Sequence, residues 1–179
     1  MSRPIPNPVT GFNFAEELKL LLPAEFEKRF PYPLLVVPLV RSEAGTSKAG
    51  EGIVGGYYTQ SVVTKGTTQF EFGKNLFVPV RKKIDASGPT IWVGRDPTCD
   101  VVVPLATVSK VHFRILREPD GKYLIAEMGS KNGTQLNGAL LVKDKPVPLN
   151  SGSRITISDA NLRFLSAKQF YDEMKSGQL

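Results

Sequence analysis

Residues 93–103 read VGRDPTCDVVV, residues 108–115 read VSKVHFRI and residues 130–138 read SKNGTQLNG. Each stretch joins a short β-branched or aromatic run to a turn rich in Gly, Asn, Asp or Ser, the pattern of strands separated by tight loops. Val111, Phe113 and Ile115 alternate with polar or basic residues, which predicts one buried sheet face. Asp120-Gly121 and Asn137-Gly138 predict two-residue hairpins, because such turns need positive φ at their centre. The same reading predicts strands at 76–80, 90–93, 101–103, 111–117, 123–128, 135–136, 147–149, 154–157 and 162–165. Many short strands with frequent turns imply a β-sandwich or barrel.

Outward from that region the signals change. Ala167, Phe170, Tyr171 and Met174 recur at helical spacing and predict a short closing helix over 167–179. Upstream, residues 1–11 are proline-rich. Asn13 with Glu16 predicts a capping box opening a helix. Pro23 predicts the start of a second helix, ending near Phe30 before Pro31 and Pro33. The apolar run Leu34 to Val40 predicts a strand with Pro38 at an edge or bulge. Residues 42–56 predict a polar loop, and 57–63 and 67–72 two more strands. The division that follows is an N-terminal extension over 1–75, packed on a sandwich over 76–166. Leu34 to Val40 is too apolar to stay exposed.

With 179 residues, 41% of them hydrophobic and 22% charged, the chain suits one soluble globular domain with extensions. The start MSRPIPNPVTGF has no apolar run of a secretory leader, and no apolar stretch reaches the roughly 20 residues that span a bilayer. The single cysteine, Cys99, has no internal partner, so a reducing, cytoplasmic setting is expected. Net charge is +6, and residues 75–168 hold 14 Lys/Arg against 8 Asp/Glu, so the whole excess lies in the motif-bearing part. That bias favours an anionic partner.

Arg95, Ser109 and Asn132 offer a guanidinium, a hydroxyl and a carboxamide. Together these suit a phosphate on a peptide: a planar fork for two oxygens, a hydroxyl donor, and a group able to read main chain. No nucleophile stands beside a base. His112, the only histidine, lies three residues from Ser109, a spacing unsuited to a Ser-His pair. One His and one distant Cys make no metal set. Residues 50–55 match G-x-G-x-x-G, but a strand follows where a dinucleotide site needs a helix. No cofactor is expected, and no enzymatic activity. Aromatic residues, 9% of the chain, do not interleave with the basic ones as a nucleic-acid stacking surface requires.

These motifs, with PLNSGSRITIS at 148–158, stand in the order found in forkhead-associated (FHA) domains, which the stretch from about 76 to 166 resembles. The resemblance implies an eleven-stranded β-sandwich that binds phosphothreonine peptides through loops at one end. It implies that Arg95 and Ser109 hold the phosphate, that Asn132 bonds the peptide main chain, and that Lys110 and Lys131 add contacts. Lys131 stands where some members carry a hydroxyl residue, and Ser130 is the neighbour able to supply one instead. Gly94, His112, Gly133, Thr134 and Asn137 are implied as support, with His112 bonding nearby backbone and Asn137 shaping a hairpin. The expected function is a phosphothreonine-dependent adaptor in Ser/Thr kinase signalling. A phosphate-independent FHA-like scaffold is the alternative. The expected partner is a phosphothreonine protein, with neither nucleic acid nor membrane, and the oligomeric state is open.

Overall fold

The computed structural model describes residues 21–38, 70–72, 75–83 and 88–179. The expected helix from Asn13, the loop over 42–56 and the strand over 57–63 lie outside them.

The larger sheet is built around Leu34–Pro38 (β1), which runs antiparallel between Asn75–Pro79 (β3) and Ala160–Leu165 (β12). Leu35 and Val37 enter the core between the sheets, while Leu34 and Val36 enter a second apolar cluster on the outer face. A strand covered on both faces needs an unbroken apolar run, which is why this segment reads LLVV. Pro38 is not on an edge strand. It ends an interior strand, and β12 pairs only with Leu34 to Val36, so the missing N–H of Pro38 breaks no ladder on that side.

Phe70–Phe72 (β2), Ser153–Ile157 (β11), Gln135–Leu136 (β8) and Ala139–Leu140 (β9) complete this sheet in the order β2-β3-β1-β12-β11-β8-β9. Facing it is a five-stranded sheet of Val147–Pro148 (β10), Tyr123–Glu127 (β7), Phe113–Arg117 (β6), Thr90–Gly94 (β4) and Val101–Val102 (β5). All pairings are antiparallel except β4 with β5. The described residues thus form twelve strands in a two-sheet sandwich, against the expected eleven or so.

Two turns differ in kind. Asn137 and Gly138, at φ 51° and 87°, make the expected two-residue hairpin between β8 and β9. The loop at Asp120-Gly121 holds three residues instead: Gly121 N–H donates to the Glu118 carbonyl at 3.0 Å, and Glu118 N–H to the Lys122 carbonyl at 2.8 Å. Pro119 has no N–H to close a two-residue turn against Lys122, and the three-residue loop leaves Gly121 alone at positive φ, 85°.

Pro23–Arg29 (α1) and Ala167–Ser176 (α2) cover the outer face of β1, β3 and β12. Glu25 Oε2 accepts the Leu22 N–H at 3.1 Å at the start of α1. Ser166 Oγ caps α2 by accepting the Gln169 N–H at 3.2 Å, and Gly177 ends it at φ 72°. Phe26 is fully buried beside Phe170 and Tyr171, with ring centroids 6.0 and 5.4 Å away, and Tyr171 Oη donates to the Leu21 carbonyl at 2.7 Å. Neither described helix is long and apolar enough to cross a membrane.

Phe26→Ala is expected to lower unfolding free energy by about 3–5 kcal/mol in denaturant titration. A loss below about 1 kcal/mol would show that α1 adds little to the fold.

Candidate functional site

Gly94 ends β4 where two chain segments nearly touch. A Cβ there would collide with the Lys110 carbonyl oxygen and lie 2.8 Å from the Lys110 carbonyl carbon and 2.9 Å from Val111 Cα. The lack of a side chain lets the two loops zip together. Arg95 N–H donates to the Ser109 carbonyl at 2.9 Å, Asp96 N–H to the Lys110 carbonyl at 3.1 Å, and His112 N–H to the Val93 carbonyl at 2.9 Å. Cys99, buried, directs its thiol at the same Lys110 carbonyl, 3.2 Å away. Val111, expected on the buried face, is 40% exposed, because β6 begins two residues later and His112 takes the interior place.

The third loop is tied to the second through side chains. Ser109 Oγ accepts the Lys131 N–H at 3.0 Å, and Asn132 Nδ2 donates to the Thr107 carbonyl at 2.8 Å. His112, fully buried, accepts the Ser109 N–H on Nδ1 at 2.9 Å and places Nε2 3.2 Å from the Gly133 carbonyl. A ring nitrogen accepting an N–H cannot carry a proton, so the tautomer has its proton on Nε2 and donates to Gly133. Burial pushes the ring pKa below its ordinary 6.5, against the opposing pull of the Gly133 carbonyl and the Glu127 charge. The imidazole is therefore neutral at pH 7 and joins two loops.

Arg95, Ser109 and Asn132 thus stand together at the loop end of the five-stranded sheet. Arg95 is exposed, and its Nε donates to the Val108 carbonyl at 3.2 Å, so the outer guanidinium nitrogens project past that anchor. Among the described residues no carboxylate forms a salt bridge with it. Ser109 Oγ uses a lone pair on Lys131 and keeps its own proton for donation. Asn132 keeps its carbonyl oxygen and one N–H for an incoming main chain. Lys110 and Lys131 are exposed on either side.

Ser130 is placed differently from the expectation. Its Oγ is buried and makes no hydrogen bond of good geometry, so that hydroxyl faces the protein interior and not the surface shared by Arg95 and Ser109. Its N–H instead donates to Glu127 Oε1 at 2.8 Å, beside Gly129 N–H to Glu127 Oε2 at 2.5 Å. Burial raises the Glu127 carboxyl's pKa, but the nearby Ser130 hydroxyl and these two N–H donors outweigh it and hold the group below its ordinary 4.5. Gly133 adopts φ 69°. Thr134 is fully buried, with its hydroxyl unpartnered and its carbonyl accepting the Leu141 N–H at 2.8 Å. Asn137 lies on the other sheet, where its Oδ1 accepts the Arg154 N–H at 2.9 Å.

Two acids escaped the sequence reading. Asp100, 5% exposed, accepts the Trp92 N–H at 2.9 Å, the Lys83 N–H at 3.1 Å and Lys82 Nζ at 3.1 Å, anchoring the Arg95 loop to β4 and to the segment after β3. Glu127 ties down the start of the Asn132 loop. A lone acid bordering an apolar run (CDVVV, LIAE) is the one signal that marked them, since a buried carboxylate must find donors.

Gly94→Ala is expected to abolish ligand binding while most sheet amides keep their exchange protection; an unchanged spectrum around Ser109 would contradict the close approach. Acidification gives a second check. A histidine whose folded pKa is depressed stabilises above its unfolded value, and that stability falls as pH drops below about 6.5. Unfolding free energy should therefore decline below pH 6.5 in the wild type, and His112→Gln should remove that slope while leaving the carboxylate losses below pH 4.5. A wild-type profile flat from pH 7.5 to 5 would contradict the buried neutral ring.

The FHA domain model matches residues 91–158. Human proliferation marker protein Ki-67 is 37% identical over 76 residues, covering 42% of this chain and 2% of that protein. The serine/threonine-protein kinase RAD53 of Saccharomyces cerevisiae is 38% identical over 69 residues, covering 37% of this chain and 8% of the kinase. The chain therefore spans only a small part of these relatives. The N-terminal FHA domain of S. cerevisiae Rad53p, solved with a phosphothreonine peptide, is 30% identical, with 46% of this chain and 72% of that one covered and a TM-score of 0.40. The family match thus covers residues 91–158 of this chain, which resemble an FHA domain.

Proposed function

We propose that this chain is a non-enzymatic adaptor whose loops bind a phosphothreonine in a partner protein phosphorylated by a Ser/Thr kinase. The observation that carries the reading is the convergence of an exposed guanidinium with no carboxylate partner among the described residues, a hydroxyl with its proton to give, and a carboxamide with its acceptor unused. Three loops bonded to one another hold all three groups, so little ordering remains to be done on binding. In this reading Arg95 and Ser109 take phosphate oxygens, Asn132 reads the main chain, and Lys110 and Lys131 add charge. Gly94, His112 and Gly133 position them. In this reading residues 34–38, paired with β3 and β12, count with the binding domain, which then begins before residue 76.

His112 supports the non-enzymatic reading. Its Nδ1 is engaged by the Ser109 backbone and its Nε2 by Gly133, so neither is available to take the Ser109 hydroxyl proton. The phosphate-independent scaffold is the weaker reading, because it gives no reason for an exposed Arg95 guanidinium with no carboxylate partner among the described residues. The chain would act in a reducing cytoplasmic setting, as its lone buried thiol suits.

Each charge-assisted hydrogen bond contributes about 1.5–3 kcal/mol, so two of them make phosphorylation worth roughly 10²-fold or more in affinity. In fluorescence anisotropy with a phosphothreonine peptide pool and its unphosphorylated twin, only the first should bind. Arg95→Ala should remove that binding with the unfolding midpoint unchanged, and Asn132→Ala should weaken it at least tenfold without improving the unphosphorylated peptide. Equal affinity for both pools would overturn the proposal.

A further inference from the structure

On the outer face of β8, β11 and β12, beside the area covered by the helices, lies a polar groove of about 820 Å³. Arg154 and Arg163 are directly opposed across the β11–β12 ladder. Arg154 turns its N–H and carbonyl the other way, towards Asn137 Oδ1 at 2.9 Å and Asn137 N–H at 2.8 Å. The two arginines therefore form a non-hydrogen-bonded pair, the arrangement that brings cross-strand side chains closest, and like charges there are destabilising.

Only one of them is neutralised. Arg163 makes a bidentate pair with Glu173, 2.7 Å at each nitrogen, and Gln169 Nε2 donates to the same carboxylate at 2.9 Å. No carboxylate among the described residues pairs with Arg154. Two of the amides around it are held through their oxygens. Asn137 Oδ1 takes the Arg154 N–H, and Asn161 Oδ1 takes the Thr156 hydroxyl at 2.9 Å. Both carboxamide NH2 groups are thereby left to donate. The groove presents one positive charge with no carboxylate partner among the described residues, beside two carboxamide donors.

We propose that this groove is a second binding site, separate from the Arg95 loops, for the carboxylate side chains of an acidic protein segment. Carboxylates accept without donating, which matches a guanidinium flanked by two free carboxamide NH2 groups. The charge count selects among anions: two arginines less Glu173 leave a single positive charge, suited to a singly charged carboxylate more than to a phosphate dianion. A like-charge pair costs stability wherever it stands, and a use for Arg154 in binding explains its presence.

The test uses the whole chain and a fluorescein-labelled octapeptide of alternating Asp and Glu at low ionic strength. Saturable binding is expected, reduced at least tenfold by Arg154→Glu and unchanged by Arg95→Ala. Lys122→Glu, which removes equal charge at the opposite end from the Arg95 loops, should also leave it unchanged. Arg154→Glu should meanwhile raise the unfolding midpoint by about 1–3 °C, since it replaces repulsion of Arg163 with attraction. Undiminished binding by Arg154→Glu, or an equal loss in Lys122→Glu, would overturn the site. In the Arg95→Ala background, displacement by inorganic phosphate that acetate at equal ionic strength does not reproduce would overturn the carboxylate assignment.

Discussion

One neutral imidazole, buried between two loops, holds the recognition end of this molecule in register. His112 accepts from the Ser109 backbone with one nitrogen and donates to Gly133 with the other. Both bonds need the same protonation state, and burial favours it. The ring could not be replaced by a cation, which would have to donate twice, nor by an aliphatic side chain, which would leave Ser109 N–H and Gly133 C=O unpaired in the interior. Around this bridge the close approach of Gly94 to Lys110 and the Ser109–Lys131 bond place three different chemistries on one small surface. Function at this site follows from backbone positioning more than from any single side chain.

Support for those loops comes from residues that touch no ligand. Asp100 and Glu127 each sit nearly out of solvent and collect donors from segments that would otherwise move independently. Behind them, β1 brings a segment from far upstream into the middle of the larger sheet, and α1 and α2 close over its outer face. Residues 23–38 are therefore part of what completes and covers the sandwich.

Much of the sheet was legible because its strands alternate and its turns are punctuated. The Arg95, Ser109 and Asn132 frames were legible because glycine, serine and asparagine recur there at fixed offsets. What was not legible depended on distant neighbours. Pro38 read as an edge signal, yet it falls where an interior strand outlasts one of its partners. Asp120-Gly121 read as a two-residue turn until Pro119 is counted as part of the loop. Val111 continues the alternation of Phe113 and Ile115, but the demand of Gly94 for backbone contact turns it outward. Ser130 offers a hydroxyl by composition, and only the burial of its Oγ reveals that its side chain points inward. The strand β9 has two exposed residues and no apolar pattern, so only pairing defines it.

The central claim is that the loop end, and not the sheet faces, receives a phosphorylated threonine. It is tested most directly by following backbone amides and the Arg95 Nε–H by two-dimensional NMR during titration with a phosphothreonine peptide. The expected result is that Arg95 Nε–H and the amides of Ser109, Lys131 and Asn132 shift together and saturate at one equivalent, with no response to the unphosphorylated peptide. Shifts confined to the β8–β11–β12 face, or equal responses to both peptides, would contradict it.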